Sequence, residues 1–275
     1  MNPPRARGAS SRARRGLRAL RARGRLIARR FGGSFARDLT TPTEPISLDM
    51  GGTSETLLIA FGGMRGELGM PPFEFFKATG GIPVKRLFVR DLRQAWYHRG
   101  IPGHGETIEE AAASLLALIR RHRVSRLVVT GNSAGAYAAL VFGTLMGADV
   151  VLCFAPQTVL DPDQLASMDD HRWDEQLRSL LDADGLDRRW SDLREALPAA
   201  APLPGVPRRP ISYELYYDGA YTADRLHAEH LAGVEGVHMH RLDGGEHSIA
   251  LEMRESGQLD RVLQDALTPG HEASS

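Results

Sequence analysis

Six short apolar runs, alternating with helical stretches, constrain this chain more than any other feature of it. They are Thr56–Phe61, Val84–Val89, Val124–Thr130, Val150–Phe154, Ile211–Tyr217 and Val237–Leu242. Runs of five to seven residues closed by glycine or polar residues read as buried strands, because they are too short for helices and lack a polar face. Between them lie stretches with helical spacing, such as Ala111, Leu115, Leu118 and Ile119 after the capping-box sequence Thr107-Ile108-Glu109-Glu110. Further helices are expected over Phe73–Thr79, over Ser133–Met146, and from Leu251 through Leu259 to Leu267. Strand–helix alternation predicts an α/β fold with a mostly parallel sheet and helices on both faces. About fifty residues separate Phe154 from Ile211. Their middle, Asp170 to Leu197, is helical in pattern, and Pro198 to Pro210 is a proline-rich return. The reading is one domain over 45–275 with a helical insertion at about 160–208.

Charge divides the chain differently. The total is zero, but residues 1–37 hold twelve of the 34 basic side chains and none of the 34 acidic ones. The remainder therefore holds 22 basic against 34 acidic residues. Residues 1–44 are expected to be a disordered basic arm. A weak apolar stripe of Leu17, Leu20, Ile27 and Phe31 would allow contact with an anionic surface or a nucleic acid; a nonessential solvated tail is the plainer reading. Arg29-Arg30-Phe31 is not followed by an apolar run, which argues against a twin-arginine signal. With no stretch near the ~20 apolar residues of a membrane span, a cytoplasmic protein is expected. The single cysteine, Cys153, excludes an internal disulfide and a cysteine zinc cluster.

The chemistry centres on Gly131-Asn132-Ser133-Ala134-Gly135. Such a pentapeptide arises by chance in roughly one chain of this glycine content in ten, so the letters alone decide little. Their setting decides more: an apolar strand ends at Thr130 and an alanine-rich helix begins at Ser133. A serine on that tight turn stands exposed beyond the strand ends, and small residues flank it because the turn is crowded. A nucleotide-binding loop is the competing reading, but no Walker lysine and no Gly-x-Gly-x-x-Gly spacing is present.

A serine nucleophile needs a base, and the base an orienting acid. Of ten histidines, His247 follows the last strand in a glycine-rich loop and is the base expected. His227 and His230 lie on a helical stretch, and His238 and His240 within the last strand. For the acid, Asp224 is the first choice and Asp218 the alternative. Asp218 can instead shape the turn with Gly219, and Asp224 can instead cap a helix beginning near Arg225. Two amides would form an oxyanion hole: that of Ala134, and that of Gly63 in the loop Phe61-Gly62-Gly63-Met64, with Met64 next in line.

With these residues in order, the chain from 56 to about 266 resembles the α/β-hydrolase fold superfamily. The resemblance rests on the Gly62-Gly63 loop, the Ser133 turn, Asp224 and His247. The early part of that family's sheet is hard to find here; only Ile46 to Met50 offers a candidate strand. The resemblance implies a cofactor-free serine hydrolase, without a metal, acting on a small-molecule ester or thioester. The same groups would also serve an acyltransferase, or the fold could persist in a noncatalytic accessory or binding protein. Met64, Trp96, Tyr97 and His98 are candidate substrate-lining residues, the last three in a loop after a strand end.

Overall fold

The computed structural model describes residues 43–64, 75–182, 187–244 and 246–268. The basic arm over 1–37, and residues 65–74 at the start of the expected Phe73–Thr79 helix, lie outside the described residues.

Seven strands form one sheet in the order β1-β3-β2-β4-β5-β6-β7. They are β1 Ile46–Asp49, β2 Thr56–Phe61, β3 Lys85–Val89, β4 Arg126–Asn132, β5 Val150–Phe154, β6 Ser212–Asp218 and β7 Val237–Leu242. All neighbours run parallel except β1, which pairs antiparallel with β3 from Ile46 opposite Val89 to Asp49 opposite Arg86. The expected fold class, an α/β protein with a mostly parallel sheet, is what the chain adopts. Strands β2 to β5 are buried nearly end to end, as continuous apolar runs covered on both faces should be.

Among the described residues the helices are α1 Ile108–Ile119, α2 Ala134–Met146, α3 Pro162–Ser167, α4 Asp174–Leu181, α5 Leu193–Ala199, α6 Thr222–His230, α7 Ile249–Glu255 and α8 Gln258–Leu267. Helix α1 starts at the expected cap, where Thr107 Oγ1 accepts the Glu110 amide at 3.2 Å. The return bond of the box is shifted by one residue: Glu110 Oε2 takes the Glu106 amide, at 2.8 Å. Every residue of α2 is buried, which its sequence of Ala, Gly and apolar residues all round requires. The long final helix expected from Leu251 to Leu267 is two helices. Gly257, at φ +75°, breaks it between α7 and α8. Residues 75–80 form turns with one helical bond, Thr79 N–H to Phe75 O, rather than a regular helix. The segment between β5 and β6 holds α3, α4, a 3₁₀ turn at Arg188–Ser191, and α5.

The sheet order places the site. From β2 the chain proceeds to β3 on one side and then to β4 on the other, so the switch point lies between the carboxyl ends of β2 and β4, where open α/β sheets bind ligands. The register sets Phe61 beside Gly131. The Gly62-Gly63 loop and the Ser133 turn therefore leave the sheet side by side.

Candidate active site

Ser133 sits at φ 54°, ψ −121°, between the last residue of β4 and the first turn of α2. A non-glycine residue with positive φ is strained, and the close packing on either side holds it there. A Cβ on Gly131 would lie 2.0 Å from Gly135 O, and one on Gly135 would lie 2.4 Å from Phe61 O. The two glycines are thus explained separately. Gly131 lets the turn close on itself, and Gly135 lets the serine turn approach the end of β2. The same Gly135 position would meet Gly63 N at 3.1 Å, so the first turn of α2 lies against the loop that carries the Gly63 amide.

Ser133 Oγ is 3.1 Å from His247 Nε2. The other imidazole nitrogen, Nδ1, is 2.9 and 2.8 Å from the two carboxylate oxygens of Asp224. Strand order makes this possible: Ser133 follows β4, Asp224 follows β6 and His247 follows β7, all at the same edge of the sheet. Asp224 is fully buried and lies in the first turn of α6, which begins at Thr222 rather than near Arg225. Its carboxylate turns to the imidazole. Asp218, the alternative acid, ends β6 and accepts the Ala220 amide at 2.7 Å, which shapes the turn into α6.

Met64, Trp96, Tyr97 and His98 are buried and engaged inside the protein. Trp96 Nε1 donates to Gln157 Oε1 at 2.6 Å, and the Tyr97 hydroxyl donates to Gly62 O at 2.9 Å. His98 Nε2 is 2.7 Å from the Tyr137 hydroxyl, and burial pushes its imidazole down to about 4. Tyr97 and His98 lie against the Gly62-Gly63 loop and α2, through Gly62 O and the Tyr137 hydroxyl. Their loop is tightly wound: Gln94, Trp96 and Tyr97 all have positive φ. Asp91 holds it, accepting the amides of Ala95 at 2.7 Å and Tyr97 at 3.0 Å.

Sequence reasoning missed a second set of polar residues at the site. Arg172, from the segment between β5 and β6, donates through Nη1 to Asp224 Oδ1 at 3.0 Å. Its other edge grips Asp170, Nε to Oδ1 at 2.9 Å and Nη2 to Oδ2 at 2.6 Å. His227 Nε2 is 3.1 Å from Asp170 Oδ2. The one cue was an Asp-x-Arg spacing within an insertion, and this arginine-rich composition hid it.

No protein-family profile matches the sequence. A stretch of 97 residues is 35% identical to the small ribosomal subunit protein eS19 of Aeropyrum pernix, covering 35% of this chain and 58% of that protein. The chain thus spans less than two thirds of that relative's length. Among solved structures, the capsule O-acetyltransferase of Neisseria meningitidis serogroup A is similar, with a TM-score of 0.56 and 15% identity over 80% of this chain and 90% of that one. The glycosylation associate protein (Gap123) complex of Streptococcus agalactiae gives 0.54 and 15% identity, over 80% of this chain and 44% of that one. MGS-MChE2, an α/β hydrolase enzyme from lagoon-sediment metagenome, gives 0.48 and 14%. The sheet order and the strand–turn–helix setting of Ser133 are those of the α/β-hydrolase fold. No helix among the described residues is long and apolar enough to cross a membrane.

Proposed function

We propose that, on this α/β-hydrolase fold, the chain cleaves a small-molecule ester or thioester through an acyl-enzyme on Ser133. Ser133 Oγ attacks the acyl carbonyl while His247 Nε2 takes the hydroxyl proton. Asp224 holds the imidazole with Nδ1 protonated and stabilises the imidazolium that forms. The carbonyl oxygen, now an anion, lies toward the Ala134 amide at the start of α2 and the Gly63 amide in the loop after β2. The imidazolium then protonates the departing alcohol or thiol as the carbon–heteroatom bond breaks. Water, deprotonated by His247, releases the acid and restores Ser133.

One observation carries this reading: a strained serine at φ 54° whose hydroxyl meets a histidine that is seated on a buried carboxylate. Strain of this kind persists where surrounding structure maintains it, and it accumulates at reactive sites. The test is reaction with a fluorophosphonate, read by intact mass, on the wild type and on Ser133→Ala. A folded wild type is expected to gain one phosphonyl group and the alanine variant none. A folded wild type that does not label would sink the enzyme reading and leave a noncatalytic binding protein.

Acyl transfer is the second reading, and the likeness to an O-acetyltransferase favours it. The two share every step up to the acyl-enzyme. Partitioning separates them: adding a polyol acceptor to an acyl donor yields acylated acceptor from a transferase and free acid alone from a hydrolase.

A further inference from the structure

Helix α6 presents Asp224 and His227 three residues apart, on one face. The segment between β5 and β6 meets that face with Asp170 and Arg172. Each partner takes one: Arg172 bonds Asp224 and Asp170 bonds His227, while Arg172 and Asp170 bond each other. Asp170, Asp224 and His227 are buried, and the Arg172 side chain is 21% exposed. The far end is anchored as well. The Thr158 amide donates to His227 Nδ1 at 3.1 Å, which leaves the hydrogen on Nε2, facing Asp170. The Thr158 hydroxyl donates to the His227 carbonyl at 2.7 Å. Beside Arg172, Trp173 packs edge-on against the buried Trp96, and the Arg172 guanidinium lies over the Tyr221 ring at 5.7 Å.

Resting on the reading above, we propose that Arg172 is a positioning residue for the Asp224–His247 pair: it pins the acid to one orientation and places a fixed positive charge beside the base. The geometry specifies both actions. Asp224 Oδ1 receives Arg172 Nη1 at 3.0 Å and His247 Nδ1 at 2.9 Å, and the two nitrogens are 2.9 Å apart. Both nitrogens are donors when Nδ1 is protonated, so they converge on one oxygen and do not bond each other. The guanidinium thereby places a positive charge beside His247 Nδ1 that opposes an imidazolium in the resting site. Asp170 neutralises the outer edge of Arg172. Burial works against its charge, but the bonds from Arg172 and His227 outweigh that and hold its carboxyl well below the usual range. Burial likewise opposes the Arg172 charge, and Asp170 with Asp224 raises the group above its ordinary value.

Asp224 and Arg172 lie at Nδ1 and Ser133 at Nε2, and the Tyr221 ring lies 6.1 Å away. Asp170 and His227 act through Arg172. Removing the guanidinium takes away the positive charge that opposes an imidazolium at His247. The acid limb of a pH–rate profile must therefore move up.

Fluorophosphonate labelling rates from pH 5 to 9 test this in the full chain without a known substrate. Arg172→Gln is expected to raise the acid-limb midpoint by about one pH unit and to slow labelling at pH 7 about tenfold. Arg172→Lys keeps the charge and loses the two-edged fork, so the midpoint stays and the rate falls. A folded Gln variant with an unmoved midpoint overturns the proposal, as does a Lys variant shifted as far as the Gln variant. If Arg172→Gln does not fold, Asp170→Asn reads the same anchor, because it loosens the guanidinium and keeps its charge. It is expected to slow labelling several-fold, and labelling at the wild-type rate overturns the proposal. A wild type that never labels instead refutes the serine-hydrolase reading, which is a separate outcome.

Discussion

Replacing Gly135 with alanine tests whether the serine turn and the Gly62-Gly63 loop form one device. In an ordinary helix interior this change stabilises by about 1 kcal/mol. Here the added Cβ would lie 2.4 Å from Phe61 O, 3.0 Å from Gly62 C and 3.1 Å from Gly63 N. Contacts under 3.0 Å do not survive, and all three atoms are backbone. No side chain can rotate away. The helix start and the end of β2 must separate by about half an ångström or more, which overpacking in other cores puts at about 1–3 kcal/mol. That movement acts between Ser133 and the Gly63 amide, where misplacement by about 1 Å costs about 100-fold in rate. Gly143→Ala is the matched control. Its Cβ would meet Val151 Cγ2 at 2.6 Å, a comparable overlap with the end of a side chain, two turns further along α2. Fluorophosphonate labelling reads the chemistry, since its phosphoryl oxygen occupies the place of the anion, and urea unfolding reads stability. Gly135→Ala is expected to label about 100-fold more slowly while still folding, and Gly143→Ala to lose stability with labelling little changed. Labelling of Gly135→Ala at the wild-type rate would refute the coupling of the turn to the loop.

Other expectations follow from the same geometry. Asp224→Asn should cut activity about 10⁴-fold by leaving the imidazole in the wrong tautomer, while Asp218→Asn should leave activity within a few-fold and lower stability by about 1 kcal/mol; equal losses in the two would reject the assignment of the acid. Tyr97→Phe removes the hydroxyl that donates to Gly62 O, so a stability loss of about 1–2 kcal/mol and slower labelling are expected, read by urea unfolding and labelling rate. His98 is held neutral, with its imidazole down at about 4 because burial penalises the charged form. The unfolded chain therefore binds the proton first, and stability from this group is full above about 6.5 and lost as pH falls toward 4. The wild type should lose about 2 kcal/mol of unfolding free energy between pH 7 and pH 5 through this group, and His98→Gln should lack that increment; equal losses in the two proteins would exclude His98 as the source.

Asp224 shows how far the sequence could be read. Its type and its place after β6 were legible, because chain order and strand ends are local facts. Its position inside the first turn of α6 was not, since a helix boundary depends on which residues the turn before it presents to the core. Trp96, Tyr97 and His98 were less legible. An aromatic cluster after a strand end reads as a binding surface, and only the fold shows that all three side chains are buried, in a loop with three positive-φ residues.

By itself the sequence determined the strand–helix alternation, the parallel sheet and the serine turn. Each follows from periodicity, glycine placement or propensity within a few neighbouring residues. Only the tertiary structure decided that Gly135 opens the way to the end of β2, that Asp224 and not Asp218 meets His247, and that Arg172 joins them from another segment. Those contacts span 23 to 75 positions of chain between partners. No local pattern encodes such pairings, because they depend on which strands the sheet sets side by side.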